Sequence, residues 1–175
     1  MPSNIAAVTL ALRHALKAAV PSDIEVTTLA PAEAEHFSPH GRTLARLNLA
    51  LYRIANSPHR PNAGFVRQGA PAPERPSLLP FDLRYLLTAY GPSDPADKNS
   101  AERLLEAALR VLSDNPVLSS AQLQAALPGE TAADPNRRAT IEFEDLTQAE
   151  LLNLFTNLRA QWRPALTLLV RLSES

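Results

Sequence analysis

Prolines partition this chain more sharply than any other residue type: it carries 16 of them against 5 glycines in 175 residues. Proline fixes φ and lacks a backbone donor, so helices and central strands must fit between its occurrences. The prolines follow no period, which excludes a collagen-like repeat and leaves them as breaks between short elements. Their density peaks over residues 56–77, where Pro58, Pro61, Pro71, Pro73 and Pro76 stand with two glycines. No regular element fits there, so we expect a long, mobile loop that orders against a partner. It also carries Arg60, Arg67 and Arg75 around an apolar Phe65-Val66 centre.

Hydrophobic spacing fills the intervals. Ile5, Val8, Leu12, Leu16 and Val20 recur every three to four residues. That is one face of an amphipathic helix, which Pro21 stops. Ile24, Val26 and Thr28 alternate with Glu25 and Thr27, which predicts a short strand. Residues 30–41 read as a connection. Over 44–54, Ala45, Leu47, Leu49 and Leu51 face one way and Arg46, Asn48 and Tyr52 the other. Over 78–90, Leu79, Phe81, Leu83, Tyr85 and Leu87 oppose Asp82, Arg84 and Thr88. These two segments predict strands that pair as a long hairpin, with the proline-rich excursion at its tip.

Three capping-box pairs, Asn99/Glu102, Ser119/Gln122 and Thr147/Glu150, open three further helices. Ala139, Ile141 and Phe143 alternate as another short strand, and Ala165–Leu172 forms the last strand after Pro164. The order α-β-β-β-α-α-β-α-β predicts an α+β fold. A single domain over 1–175 would hold one mixed, largely antiparallel sheet with helices packed over it.

Catalytic signals are thin. The absence of cysteine removes disulfides, thiolate metal sites and cysteine nucleophiles, and fits a reducing cytosol. A net charge of −1 offers no global field for nucleic acid or an anionic membrane. No apolar run approaches the roughly 18 residues of a membrane-spanning helix. Arg13, His14 and Lys17 interrupt the N-terminal apolar run, so no signal peptide is expected. The scattered glycines build neither GxGxxG nor a P-loop, and HExxH and GxSxG do not occur.

His36 and His40, preceded by Glu33 and Glu35, form one thin metal candidate, but Pro39 breaks the helix that would join them. Glu142, Glu144 and Asp145 form an acidic cluster expected to be solvated, and His14 and His59 are expected on the surface. Trp162, the sole tryptophan, stands near Arg159 and Arg163 and could stack on a guanidinium, with core packing the simpler expectation. No catalytic residue, metal ligand or cofactor is therefore expected. A hydrolase built on Glu142, Glu144 or the histidines would need them to converge in a pocket.

Charge placement says more. Residues 41–90 hold seven arginines and no lysine against Glu74 and Asp82, a local +5. Residues 91–160 hold eleven acids against six bases, a local −5. Opposite halves suit self-association, in which a basic surface meets an acidic surface of the next copy and closes into a ring. Arginine favours defined bidentate contacts over diffuse attraction. The last strand, with Leu166, Leu168 and Val170, is expected at a sheet edge where a neighbouring chain could pair with it.

An ordered set of segments carries a family resemblance. It runs through Val26-Thr27-Thr28-Leu29-Ala30-Pro31 and Leu47-Asn48-Leu49-Ala50-Leu51-Tyr52. It continues through Asp82-Leu83-Arg84-Tyr85-Leu86-Leu87-Thr88-Ala89-Tyr90-Gly91 and Asn115-Pro116-Val117-Leu118-Ser119. It ends with Leu146-Thr147-Gln148-Ala149-Glu150-Leu151 and Trp162-Arg163-Pro164-Ala165-Leu166. Together these resemble the N-terminal domain of the cap, or tail-terminator, proteins of extracellular contractile injection systems. The resemblance covers nearly the whole chain.

It implies a non-enzymatic component of a phage-tail-like particle. Such a component would be a six-membered ring of copies on the distal end of the inner tube, ending tube growth and meeting the last sheath layer. Its implied partners are itself, the inner tube protein and the sheath protein, with no cofactor, nucleic acid or membrane. It would be cytoplasmic during assembly and then part of a released particle, without the C-terminal module some relatives carry. A small adaptor gripping a peptide through 56–77 is the other non-enzymatic reading. The resemblance assigns no contact residues; Arg60, Phe65, Val66, Arg67, Arg75, Leu166, Leu168 and Val170 are the candidates from the pattern itself.

Overall fold

The computed structural model describes residues 4–37, 45–56, 81–91, 100–127 and 137–174. Helix α1 (Asn4–Ala19) leads into strand β1 (Glu25–Thr27), the short helix α2 (Pro31–His36) and the long strands β2 (Arg46–Asn56) and β3 (Phe81–Tyr90). Helix α3 (Ser100–Asp114), strand β4 (Val117–Leu118), helix α4 (Ser120–Ala126), strand β5 (Arg137–Phe143), helix α5 (Gln148–Asn157) and strand β6 (Ala165–Glu174) follow. The six strands form one sheet in the order β1-β2-β3-β6-β5-β4. β1 runs parallel to β2 and every other neighbouring pair is antiparallel. The α+β class and the mixed, largely antiparallel sheet are as the sequence predicts.

Two elements were not expected. Residues 30–41, read as a connection, contain α2: Pro31 occupies its first turn, where a missing donor costs nothing, and Pro31 and Ala34 are buried. β4 is only two residues long, too short to leave a periodic signal.

Cross-strand register sorts the sheet into two faces. Leu49 opposes Leu87, which opposes Leu166; Leu83 opposes Val170, which opposes Ile141. This face carries the main core cluster with Val8, Leu12 and Leu16 of α1, Leu104, Ala108 and Leu112 of α3, and Leu123 of α4. Tyr85 is fully buried in it, and its hydroxyl lies 2.9 Å from that of Thr9. Burial pushes the Tyr85 pKa up to about 12. On the polar side of α1, Arg13 Nε donates to Val26 O at 2.9 Å, and Lys17 Nζ donates to Ser22 O and Ile24 O.

The other face begins with Arg46 opposite Tyr90, then Asn48 opposite Thr88 and Ala50 opposite Leu86. The sequence reads the Arg46/Asn48 side of β2 as its polar side, yet both residues are buried. Asn48 is satisfied there: Oδ1 accepts from Thr27 Oγ1 at 2.8 Å and Leu29 N at 2.9 Å, and Nδ2 donates to Leu29 O. A polar residue inside the fold therefore clips the segment after β1 to β2.

β6 is not an edge. It lies between β3 and β5 and pairs with both, so over Leu168–Arg171 its backbone has no free side for a neighbouring chain. Leu168 and Val170 are fully buried core residues and Leu166 packs against them. The expected edge contact through these three is corrected: the last segment of a chain is not the last strand of its sheet.

Candidate assembly surface

A bulge inside the β2–β3 ladder organises the second face. The register shifts between Leu51 and Arg53, leaving Tyr52 as the extra residue and placing Arg53 directly opposite Arg84. Two like charges side by side are unfavourable. Glu144 answers them: its Oε1 and Oε2 accept from Arg84 Nε at 2.9 and 3.1 Å, and Tyr52 Oη lies 3.4 Å from Oε2. Burial, then the nearby carboxylate, pushes the Tyr52 pKa up to about 12. One row further, Arg171 Nη1 donates to Glu142 Oε1 at 2.6 Å, and Arg171 Nε lies 3.8 Å from Asp82 Oδ1.

The opposite end of this face holds an aromatic and guanidinium stack. Arg46 lies 4.3 Å over the Tyr90 ring and 5.7 Å over Phe37, and Arg163 lies 4.0 Å over Tyr90. Arg46 donates from Nη2 to Ala34 O, while its Nε and Nη1 find ring faces rather than hydrogen-bond acceptors among the described residues. Burial lowers its pKa from the ordinary arginine value. Glu35 of α2 accepts from Gln161 N and from Arg163 Nη2, the latter at 3.4 Å.

These contacts fix residues 158–164, the connection between α5 and β6. The capping box of α5 is formed: Thr147 Oγ1 accepts from Glu150 N, and the Glu150 carboxylate accepts from Thr147 N at 2.9 Å. The Thr147 hydroxyl, donating to the Glu150 carboxylate at 2.7 Å, and then the Thr147 N–H lower the Glu150 pKa. At its far end Arg159 adopts φ 53°, the left-handed conformation that glycine usually supplies after a helix. Between the two tethered neighbours Gln161 and Arg163, Trp162 is 54% exposed. Core packing is thus not its role, and the guanidinium of Arg163 stacks on Tyr90 instead.

Across the sheet, α1 and α3 leave an open groove of about 440 Å³. Ala19, Ala107 and Val111 give it an apolar floor; Arg103, Arg110, Glu106 and Asp114 form its rim. Arg110 and Glu106 pair at 3.2 Å.

The matching family model is the Pvc16 N-terminal domain, over residues 7–174. The chain belongs to the Pvc16 N-terminal domain family. Two solved structures share the fold of this Pvc16-type domain. One is the PVC sheath/tube terminator of an extracellular contractile injection system in its extended state: TM-score 0.63, 20% identity, covering 100% of this chain and 58% of that one. The other is the anti-feeding prophage cap, the AFP tube-terminating cap: TM-score 0.59, 18% identity, covering 94% of this chain and 52% of that one. The chain therefore spans little more than half the length of either. No curated protein matches it.

The residues singled out from sequence have different fates. Arg60, Phe65, Val66, Arg67 and Arg75, with His40 and His59, lie outside the described residues. Glu142 keeps the exposure expected of it while pairing with Arg171, whereas Glu144 is half-buried against Arg84. His36 sits exposed at the end of α2, and no cluster of three metal-ligating side chains exists among the described residues. Of the basic stretch, Arg46 is buried and Arg84 is ion-paired within the chain. Two of its arginines thus serve the fold. Sequence reasoning missed the stacking role of Tyr90 and read Glu35 only beside the histidines, because their partners stand far along the chain.

Proposed function

We propose that this domain caps the distal end of the inner tube of a contractile injection particle as a ring of copies. The ring ends tube growth and meets the last sheath layer. Membership of the Pvc16 N-terminal domain family, with a fold shared over 94% of the chain with a tube-terminating cap, carries the reading. The described surface supports it: the candidate carboxylates are held by arginines rather than gathered around a pocket. The reading is of a structural, not catalytic, component that is assembled in the cytoplasm and leaves with the particle.

Adding the purified chain to polymerising inner tubes tests this. Tubes should shorten to a narrower length distribution in negative-stain images, with labelled chain at one end. Unchanged lengths and bare ends would remove the proposal. The basic segment around Phe65-Val66 is its proposed partner contact. Changing Arg60, Arg67 and Arg75 together to Glu should weaken assembly in light scattering and leave the circular dichroism spectrum unchanged.

A further inference from the structure

The ring reading leaves open which surfaces of neighbouring copies meet, and the inference here rests on it. We propose that Trp162 of one copy docks into the α1–α3 groove of the next. Three observations on the 158–164 connection make it a docking knob. It presents the chain's sole tryptophan 54% exposed. Its backbone is tethered on both sides of that indole, by Glu35 at Gln161 and by the Tyr90 stack at Arg163. It carries Arg159, a long cation, in a conformation that costs a non-glycine residue energy. Interface anchors are enriched in Trp and Arg, and an anchor already held in place loses little entropy on binding.

The groove complements the knob. Its floor of Ala107 and Val111 takes the flat apolar indole. Arg103 on the rim offers a guanidinium to the ring face. Asp114 offers a carboxylate to Arg159 across the joint. Trp162 cannot reach its own groove. Arg163 beside it stacks on Tyr90, on the second face of the sheet, whereas α3 packs on the first. Two distinct patches on opposite faces make a heterologous contact, which closes into a ring when its rotation permits.

The sequence makes the test clean, because it contains one tryptophan and no cysteine. The full chain is prepared as two single-cysteine variants, Gln161→Cys and Ala107→Cys, and oxidised separately and mixed, free and on tube ends. Only the mixture should give a disulfide-linked dimer. Tryptophan emission of the unmodified chain should shift to shorter wavelength as concentration rises. Trp162→Ala should weaken association about 30-fold with an unchanged far-ultraviolet spectrum, and Trp162→Phe should recover part of it. A chain that caps tubes yet gives no mixed disulfide and no shift overturns this contact and leaves the capping reading standing. A chain that gives both but never shortens tubes keeps the contact and removes the capping reading.

Discussion

The two faces of the sheet are built on opposite principles. The face under α1, α3 and α4 is apolar and close-packed, with Leu12, Leu16, Leu87 and Leu112 interleaved. The face toward α2 and the 158–164 connection is held by Arg84–Glu144, Arg171–Glu142, the Asn48 clip and the Tyr90 stack. Non-directional burial supplies cohesion on the first. Directional contacts on the second supply little net stability and fix where side chains point. The difference teaches that stability and surface geometry are separable in this molecule.

The contrast can be broken most forcefully on the apolar face. Leu12→Ala, at a site with no exposure, should cost about 2–5 kcal/mol in urea denaturation. Alkali probes the same face through Tyr85. Its folded pKa near 12 exceeds its ordinary value of 10, so the stability it contributes is whole below pH 10 and falls away as pH rises toward 12. The loss should reach about 2–3 kcal/mol by pH 12, and Tyr85→Phe should flatten that part of the curve.

On the polar face, Glu144→Ala leaves Arg84 opposite Arg53 without its partner and should cost about 1–3 kcal/mol. Thr147→Ala removes one half of the α5 capping box and should cost about 1 kcal/mol, read as faster amide exchange in the first turn. Because the Glu150 pKa is depressed, its share of that cap is present at neutral pH and lost as pH falls through its folded pKa. Arg159→Gly should raise stability by about 1 kcal/mol while weakening association, which would separate the two principles within one residue.

The apolar face was legible in the sequence and the polar face was not. Val8, Leu12 and Leu16 announce their helix by spacing, and Ser119/Gln122 and Thr147/Glu150 announce theirs by caps that form as written. Period-two alternation found β2 and β3 and their antiparallel pairing. The same rule misread Arg46 and Asn48 as solvent-facing, because a polar residue with buried partners leaves the same trace as an exposed one. The Glu35 contact with Gln161 spans 126 positions, beyond any local pattern. Strand order is likewise a non-local property, which is why β6 was misplaced at a margin.

One consequence follows from the rims of that sheet. Among the described residues, the outermost strands offer three and two residues, and Arg13 and Lys17 already occupy carbonyls at the longer one. Among the described residues β1 covers only Arg46–Asn48 of β2, so Leu49–Asn56 keeps an open backbone side, but the bulge at Tyr52 and the exposed Arg53 break the flat run that an incoming strand would need. A margin broken in this way disfavours runaway fibre growth, and the proposed ring would then rest on lock-and-socket joints between side chains, the kind of joint that can count its members and stop.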